Sequence, residues 1–250
     1  DKLWMLQDKK DMKKLWLSEK MVARSFWKEL RNSVLFEEAE VDSREICRIT
    51  APLVDKFPSV AGSIGKESCT LLWLITKYFS PRIVGEVGTY IGRSTLAMSF
   101  GGKSSIENLY TCDGTYDSLD LGYLKGLMND SKKNALSKIK YFGKQMSYNM
   151  FSELIKNGVK LDLLFVDGRL GQEDLNILKS VMAEDCVVVL DDFEGVEKGV
   201  VNGMMLRNLL KNYILLEPFV NENHEVLNLS LMVPGTMLSL SRQQTLPVNM

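Results

Sequence analysis

The chain has 250 residues, of which 45% are hydrophobic and 25% are charged, and its formal net charge is -1. This balance is ordinary for a soluble globular protein and gives no basis for a general attraction to nucleic-acid phosphates. No apolar run reaches the ~18 residues of a membrane-spanning helix, and the N-terminus lacks the layout of a signal peptide. We therefore expect a cytoplasmic protein with no nucleic-acid or membrane partner.

Cysteine spacing agrees with that expectation. Cys47, Cys69, Cys112 and Cys186 are widely scattered, and no two of them have the spacing of a metal finger or a redox motif. We expect reduced residues that belong to the core.

The first 60 residues predict a helical extension. Residues 1–37 contain no Gly or Pro, and their Leu, Trp, Met and Phe residues fall loosely on helical spacing. Two compatible interpretations remain open, namely helices that pack on the main domain, or a lid or homo-oligomer contact that shapes a substrate pocket. A second helix is predicted over 42–57, with Asp42 or Ser43 as its N-cap.

Beyond residue 60, strand and helix signals alternate. A helix over 66–79 ends before Pro81. Strands are predicted at 82–87, 108–112, 138–142, 161–166 and 186–190, and helices near 93–100, 122–137, 148–157, 172–183 and 197–211. This alternation predicts an α/β fold, a Rossmann-like, doubly wound and mostly parallel sheet.

The end of the chain departs from the alternation. Residues 213–217 and 226–233 read as two strands joined by a short polar loop, which predicts an antiparallel pair at one edge of the sheet. We therefore divide the chain into the extension (1–60), a main domain (61–237) and a poorly ordered tail (238–250).

A glycine turn joins the first predicted strand to the next helix, in PRIVGEVGTYIGRSTLAMSF (residues 81–100). Glycines there let the backbone approach a ligand closely. The spacing Glu86-x-Gly88-x-x-x-Gly92 differs from the G-x-G-x-x-G of dinucleotide-binding folds. Asp113 follows the second strand, where a carboxylate can accept hydrogen bonds from both hydroxyls of a ribose. Together these features favour S-adenosylmethionine over NAD.

Carboxylates also end the fourth and fifth predicted strands, as Asp167 and as Asp191-Asp192. The carboxyl ends of adjacent parallel strands share one rim, where converging carboxylates repel one another unless a cation lies between them. Oxygen ligands suit a hard divalent ion, Mg²⁺ first, with Mn²⁺ and Ca²⁺ as alternatives. The other interpretation is that Asp167 fixes the methyl-donor end of the site while Asp191 and Asp192 cap the next segment.

The segment Glu86-Val-Gly88-Thr-Tyr90-Ile-Gly92-Arg-Ser94 resembles the first motif of class I S-adenosylmethionine-dependent methyltransferases. It is most similar to the branch of catechol O-methyltransferase and the metal-dependent sugar O-methyltransferases of natural products. The similarity runs from about Gly62 to Val233.

The resemblance implies roles for named residues. The methionine part of the cofactor would contact residues near the turn, namely Ser63, Ile64, Glu86, Gly88, Tyr90, Gly92 and Ser94. Asp113 would bind the ribose, and either Gln145 or Ser147 would flank the adenine. Asp167, Asp191 and Asp192 match the metal triad, with Asp192 in place of an Asn that is common in that branch.

One departure concerns the general base. The lysine expected three residues after the first metal aspartate is absent, and position 170 is Leu. Arg169 is too basic to accept a proton at neutral pH. His224, in the polar loop between the last two strands, is a candidate base, and activation by the metal alone or a base from the N-terminal helices are the alternatives.

The leading hypothesis is an O-methyltransferase that acts on a small hydroxylated molecule, of natural-product or sugar type, with help from a divalent metal. Asp167 and His224 are the candidate catalytic residues. A non-methylating, metal-dependent relative and a domain that binds cofactor without catalysis are the alternatives.

Overall fold

A computed structural model describes residues 23–56, 63–192, 198–216 and 229–240. The strands are β1 (Ile83–Val87), β2 (Asn108–Asp113), β3 (Ile139–Gly143), β4 (Leu161–Val166), β5 (Met182–Leu190), β6 (Tyr213–Leu216) and β7 (Ser230–Pro234). Residues 23–31 lie in helix α1. The other helices are α2 (Phe36–Lys56), α3 (Lys66–Phe79), α4 (Arg93–Gly101), α5 (Leu121–Gly126), α6 (Asp130–Leu136), α7 (Ser147–Lys156), α8 (Gln172–Val181), α9 (Lys198–Leu209) and α10 (Gly235–Leu240).

Within the described residues the strands form one seven-stranded sheet in the order β3-β2-β1-β4-β5-β7-β6. The first five strands pair in parallel, and β7 runs antiparallel to both of its neighbours. The mostly parallel Rossmann-like sheet, with an antiparallel last strand, is therefore confirmed. The division into extension, main domain and tail stays a prediction. Residues 235–240, which span the predicted boundary between the main domain and the tail, form helix α10.

Hydrophobic residues on the central strands alternate between two cores, because successive side chains of a strand point to opposite faces. On β4, Leu163 and Phe165 belong to the core that also contains residues of α2, α3 and α4. Leu164 and Val166 belong to the core under α7, α8 and α9. Helices thus cover both faces, which explains why this strand is apolar nearly throughout.

Helix α2 begins before the predicted N-cap, at Phe36. The expectation that Asp42 or Ser43 caps this helix is wrong, because both side chains are buried within it. Asp42 instead accepts hydrogen bonds from the indole N–H of Trp73 (3.0 Å) and from Lys132 (2.7 Å), and Lys132 also pairs with Glu45. This buried polar cluster ties α2 to α3 and α6.

The single helix predicted over 122–137 is also wrong, since α5 and α6 are separate. Asp120 caps α5 by accepting from the backbone N–H of Tyr123 (2.8 Å). Asn129 caps α6 in the same way, accepting from Lys132 N–H (3.2 Å). Asn and Asp favour such caps over helix interiors, so the two side chains start two short helices.

All four cysteines are free thiols, three of them buried and Cys47 half-buried. The fold brings Cys47 beside Cys69, and a hydrogen bond with that thiol is the main cause that lowers the pKa of Cys47 to about 6. Among the described helices, none combines the length and the apolar character needed to cross a bilayer.

Candidate active site at the carboxyl end of the sheet

The register of the sheet brings the predicted site residues to one rim. Val87, Val166 and Leu190 are partners on neighbouring strands. The backbone N–H of Asp167 donates to the Val87 carbonyl (2.8 Å), and the backbone N–H of Asp191 donates to the Val166 carbonyl (3.1 Å). The glycine turn after β1 and the carboxylates after β4 and β5 therefore lie side by side.

The turn between β1 and α4 requires glycine at two positions. Gly88 has φ 100°, and a Cβ atom there would lie 2.9 Å from the backbone carbon of Asp167. Gly92 has φ 82° and would place a Cβ atom 2.4 Å from the side chain of Leu119. Tyr90, between them, also has a positive φ of 44°. The chain thus bends sharply at the rim, in a conformation that costs free energy for residues other than glycine.

Glu86 lies beneath this turn and is fully buried. Its Oε2 atom accepts a hydrogen bond from the hydroxyl of Thr95 (2.5 Å), while Oε1 has no partner among the described residues. Burial raises the pKa of Glu86 to about 7, against the lowering effect of hydroxyls that include Ser94 and Thr111. An incompletely satisfied buried carboxylate is destabilising unless a donor reaches it. The ammonium group of an amino-acid ligand would be such a donor.

Asp113 organises the loop after β2. Its Oδ2 atom accepts from the backbone N–H of Tyr90 (2.8 Å), and its Oδ1 atom accepts from Thr115 (2.9 Å) and Tyr116 (2.8 Å). Oδ1 already accepts two hydrogen bonds, but Oδ2 accepts one and keeps a lone pair for a ribose hydroxyl. The ribose role stays a prediction, and Asp113 also fixes the glycine turn.

The predicted adenine segment follows β3. The backbone N–H of Gln145 donates to the backbone carbonyl of Asp113 (3.1 Å), so this segment lies beside Asp113, the candidate ribose ligand. The Gln145 side chain is exposed and lines a groove of about 550 Å³ with Phe142 and Tyr148. Ser147, by contrast, is buried at the first residue of α7. The geometry leaves both residues as candidates.

The predicted methionine contacts Ser63 and Ile64 lie in the loop before α3. Ser63 is half-buried and Ile64 is buried. The guanidinium of Arg93 donates to the Ile64 carbonyl (3.4 Å) and to the Thr50 hydroxyl (2.9 Å). Arg93 is the first residue of α4, and it therefore joins the glycine turn both to this loop and to helix α2.

The three predicted metal ligands converge. Carboxylate oxygens of Asp167, Asp191 and Asp192 all lie within 4.8 Å of one another. Asp192 has a φ of 57°, which is a left-handed backbone conformation. Burial, followed by repulsion from Asp167 and Asp192, raises the pKa of Asp191 to about 8. Burial likewise raises the pKa of Asp167 to about 6.

Lys198, which the sequence reasoning missed, reaches into this cluster from the first residue of α9. Its ammonium donates to Asp167 Oδ1 (2.6 Å) and pairs with Asp192 Oδ2 (2.9 Å). Burial lowers the pKa of this lysine, but the two carboxylates outweigh burial and hold the pKa well above its usual range. The one available signal was a lysine at the start of the helix that follows the acidic strand end.

Position 170 does not reach the rim. The Leu170 side chain is buried in the core on the α8 side, and its backbone N–H donates to Asn202 (3.1 Å). Arg169 is exposed. His224, the other candidate base, lies outside the described residues.

The cluster fits a divalent cation by the chemistry of its donors. Among the described residues, these three carboxyl groups face one ammonium, that of Lys198, which pairs with Asp167 and Asp192 and leaves Asp191 without an ion pair. Asp191 Oδ1 is buried and has no hydrogen-bond partner among the described residues. A hard cation with oxygen ligands would satisfy this atom and offset the repulsion that raises the pKa of Asp191.

The strand order and the reversed β7 are the fold of class I S-adenosylmethionine-dependent methyltransferases, and solved structures confirm this part of the resemblance. One is the O-methyltransferase TomG from Streptomyces achromogenes, in complex with S-adenosylmethionine. Its TM-score is 0.57 at 15% identity, and the alignment covers 76% of this chain and 89% of TomG.

An O-methyltransferase from Bacillus cereus, in complex with S-adenosylhomocysteine, aligns over 87% of this chain and 98% of its own, with a TM-score of 0.54 and 12% identity. The S-adenosylhomocysteine-bound methyltransferase PaMTH1 of Podospora anserina has a TM-score of 0.52 and 13% identity over 76% of this chain and 87% of its own. No protein-family profile and no curated protein sequence matches the chain. At these identities the likeness establishes the fold.

Proposed function

We propose that this protein transfers a methyl group from S-adenosylmethionine to a hydroxyl oxygen of a small molecule, with a divalent cation held by Asp167, Asp191 and Asp192. The observation that carries the proposal is that, among the described residues, two buried carboxylate oxygens at this rim have no hydrogen-bond partner, one on Glu86 and one on Asp191. A third such oxygen, on Asp174, belongs to the first turn of α8. The Glu86 oxygen lies beneath the glycine turn and the Asp191 oxygen at the adjacent strand end, in a fold whose solved neighbours include complexes with this cofactor.

The chain's own residues would first fix the methyl donor. Glu86 would accept the ammonium group of the methionine part, and its ionised form would then be stabilised by a charge-assisted hydrogen bond. Gly88 lets the backbone turn beside that group, and Oδ2 of Asp113 keeps one lone pair for a ribose hydroxyl. These contacts would hold the cofactor at the rim beside Asp167.

Methyl transfer itself needs little covalent chemistry from the protein. The acceptor oxygen attacks the methyl carbon, the carbon–sulfur bond breaks, its electron pair stays on sulfur as a thioether, and the acceptor hydroxyl loses its proton. A divalent cation, when bound by the three aspartates, would bind the acceptor oxygen and lower the pKa of its hydroxyl. Orientation of that oxygen toward the methyl group would supply the remaining acceleration.

The first test is calorimetry of the full chain with S-adenosylhomocysteine, with Glu86→Ala as the matched variant. We expect binding by the wild type and none by the variant. Absence of binding by the wild type at millimolar concentration would refute a methyl-donor site.

The second test concerns the acceptor and the cation. Incubation with S-adenosylmethionine and a panel of catechols, sugars and phenols should give a product heavier by one methylene, detected by mass spectrometry. Activity should disappear in EDTA and return with Mg²⁺. Methyl transfer that persists in EDTA would exclude the cation but leave the methyltransferase proposal intact.

A further inference from the structure

We infer that the ammonium of Lys198 competes with the divalent ion for the carboxylate oxygens at the rim, so that this side chain sets the affinity of the protein for metal. The inference rests on the proposed function for the identity of the competing ion. It concerns a residue that the resemblance did not bring to the site.

Competition follows from the distances. The Lys198 ammonium lies 2.6 Å from Asp167 Oδ1 and 2.9 Å from Asp192 Oδ2, which are two of the three candidate ligands. A Mg²⁺ ion would bind such oxygens at about 2.1 Å. It would then occupy the space that the ammonium fills, where two like charges repel because this rim is partly shielded from water. Lysine and metal are therefore alternative occupants.

The start of α9 packs tightly against the end of β5. A Cβ atom on Gly199 would lie 1.9 Å from the carbonyl oxygen of Asp191, so the helix start packs directly on the strand end. One turn further, Asn202 donates to the Gly168 carbonyl (2.7 Å) and accepts from the Leu170 N–H (3.1 Å). We therefore expect metal entry to displace the Lys198 side chain by rotation about its own bonds, which its flexible stem allows.

Lys198 pairs with only two of the three carboxyl groups. Asp191 makes no ion pair with Lys198 among the described contacts, and its buried Oδ1 atom has no partner. The lysine thus weakens metal binding without abolishing the attraction for a dication. Its removal should leave the same three oxygen ligands and a more negative site.

The test measures Mn²⁺ binding by the full-length protein, through loss of the electron paramagnetic resonance signal of free Mn²⁺. We expect Lys198→Met and Lys198→Gln to tighten the dissociation constant by about tenfold or more. Lys198→Arg keeps the cation and should stay near the wild-type value. Lys133→Met is the matched control, because Lys133 pairs with a single aspartate, Asp130, on the exposed face of α6.

Circular dichroism and S-adenosylhomocysteine calorimetry would establish that each variant is folded and keeps the methyl-donor site. Equal or weaker Mn²⁺ binding by both neutral variants overturns the inference, while metal binding by the wild type would leave the proposed function standing. If neither the wild type nor the neutral variants bind Mn²⁺, the inference and the metal part of the proposed function both fail. The calorimetry would still report on the methyl donor.

Discussion

Replacing Glu86 by Gln should stabilise the protein without ligand at neutral pH, although Glu86 is central to the proposed cofactor site. The pKa of this buried carboxyl is raised from 4.5 to about 7 by burial. Below pH 4.5 the group is protonated in both the folded and the unfolded chain. As the pH rises, the unfolded chain ionises first, so the folded state loses stability until the pH passes the folded pKa.

The magnitude follows from the size of the shift. At about 1.36 kcal/mol per pKa unit, the displacement corresponds to about 3 kcal/mol of stability that the wild type loses between pH 4.5 and pH 7. Gln has nearly the same shape and does not ionise. We therefore expect the free energy of unfolding of Glu86→Gln, relative to the wild type, to rise by that amount over this pH range.

Urea unfolding at half-unit pH intervals would measure the difference, with Glu184→Gln as a control at an exposed carboxylate of β5. Calorimetry of the wild type with S-adenosylhomocysteine, in two buffers of different ionisation enthalpy, should show that binding at pH 6 releases a proton from Glu86. A stability difference that stays flat with pH, or that falls as the pH rises, would refute the reasoning.

Three further predictions test other parts of the structure. Asp191→Asn should weaken Mn²⁺ binding and methyl transfer by more than about tenfold and leave S-adenosylhomocysteine binding unchanged. Calorimetry and product mass spectrometry would measure these effects, and unchanged metal binding would remove Asp191 from the ligand set. Lys132→Met should lower the free energy of unfolding by about 2 kcal/mol in urea titrations, because it removes the ion-pair partner of the buried Asp42 and of the half-buried Glu45. Lys133→Met should change it by less than about 0.5 kcal/mol. Gly88→Ala should lower the free energy of unfolding by about 2 kcal/mol and abolish cofactor binding, because Gly88 has a positive φ and a Cβ atom there would lie 2.9 Å from Asp167. Gly126→Ala, where a Cβ atom would meet open space, should do neither.

The sheet was predictable because its signals are local. Apolar runs such as LDLLFV (residues 161–166) and the turn residues between them define strands without reference to the rest of the chain. Once the strands are parallel, the rule that their carboxyl ends share a rim brings Glu86, Asp167 and Asp191 together. Their closeness follows from topology and needs no knowledge of side-chain packing.

Features that depend on distant partners could not be predicted in the same way. Asp42 has the residue type of a helix cap, yet its carboxylate accepts a hydrogen bond from Lys132, 90 residues further along the chain. Lys198 was missed because no local pattern tells a surface lysine from one that turns inward. Its orientation depends on the packing of Gly199 against Asp191, which only the folded chain reveals.

The link from Arg93 to Thr50 bears on how this protein could be dissected. A cut at residue 60, where the predicted main domain begins, would separate the glycine turn from α2, to which Arg93 is hydrogen-bonded through Thr50. It would also remove Asp42 from the Trp73 indole and from Lys132. The smallest fragment that retains both contacts must include α2, so a minimal expression fragment or a chimera with another protein of this fold should carry that helix along with the sheet.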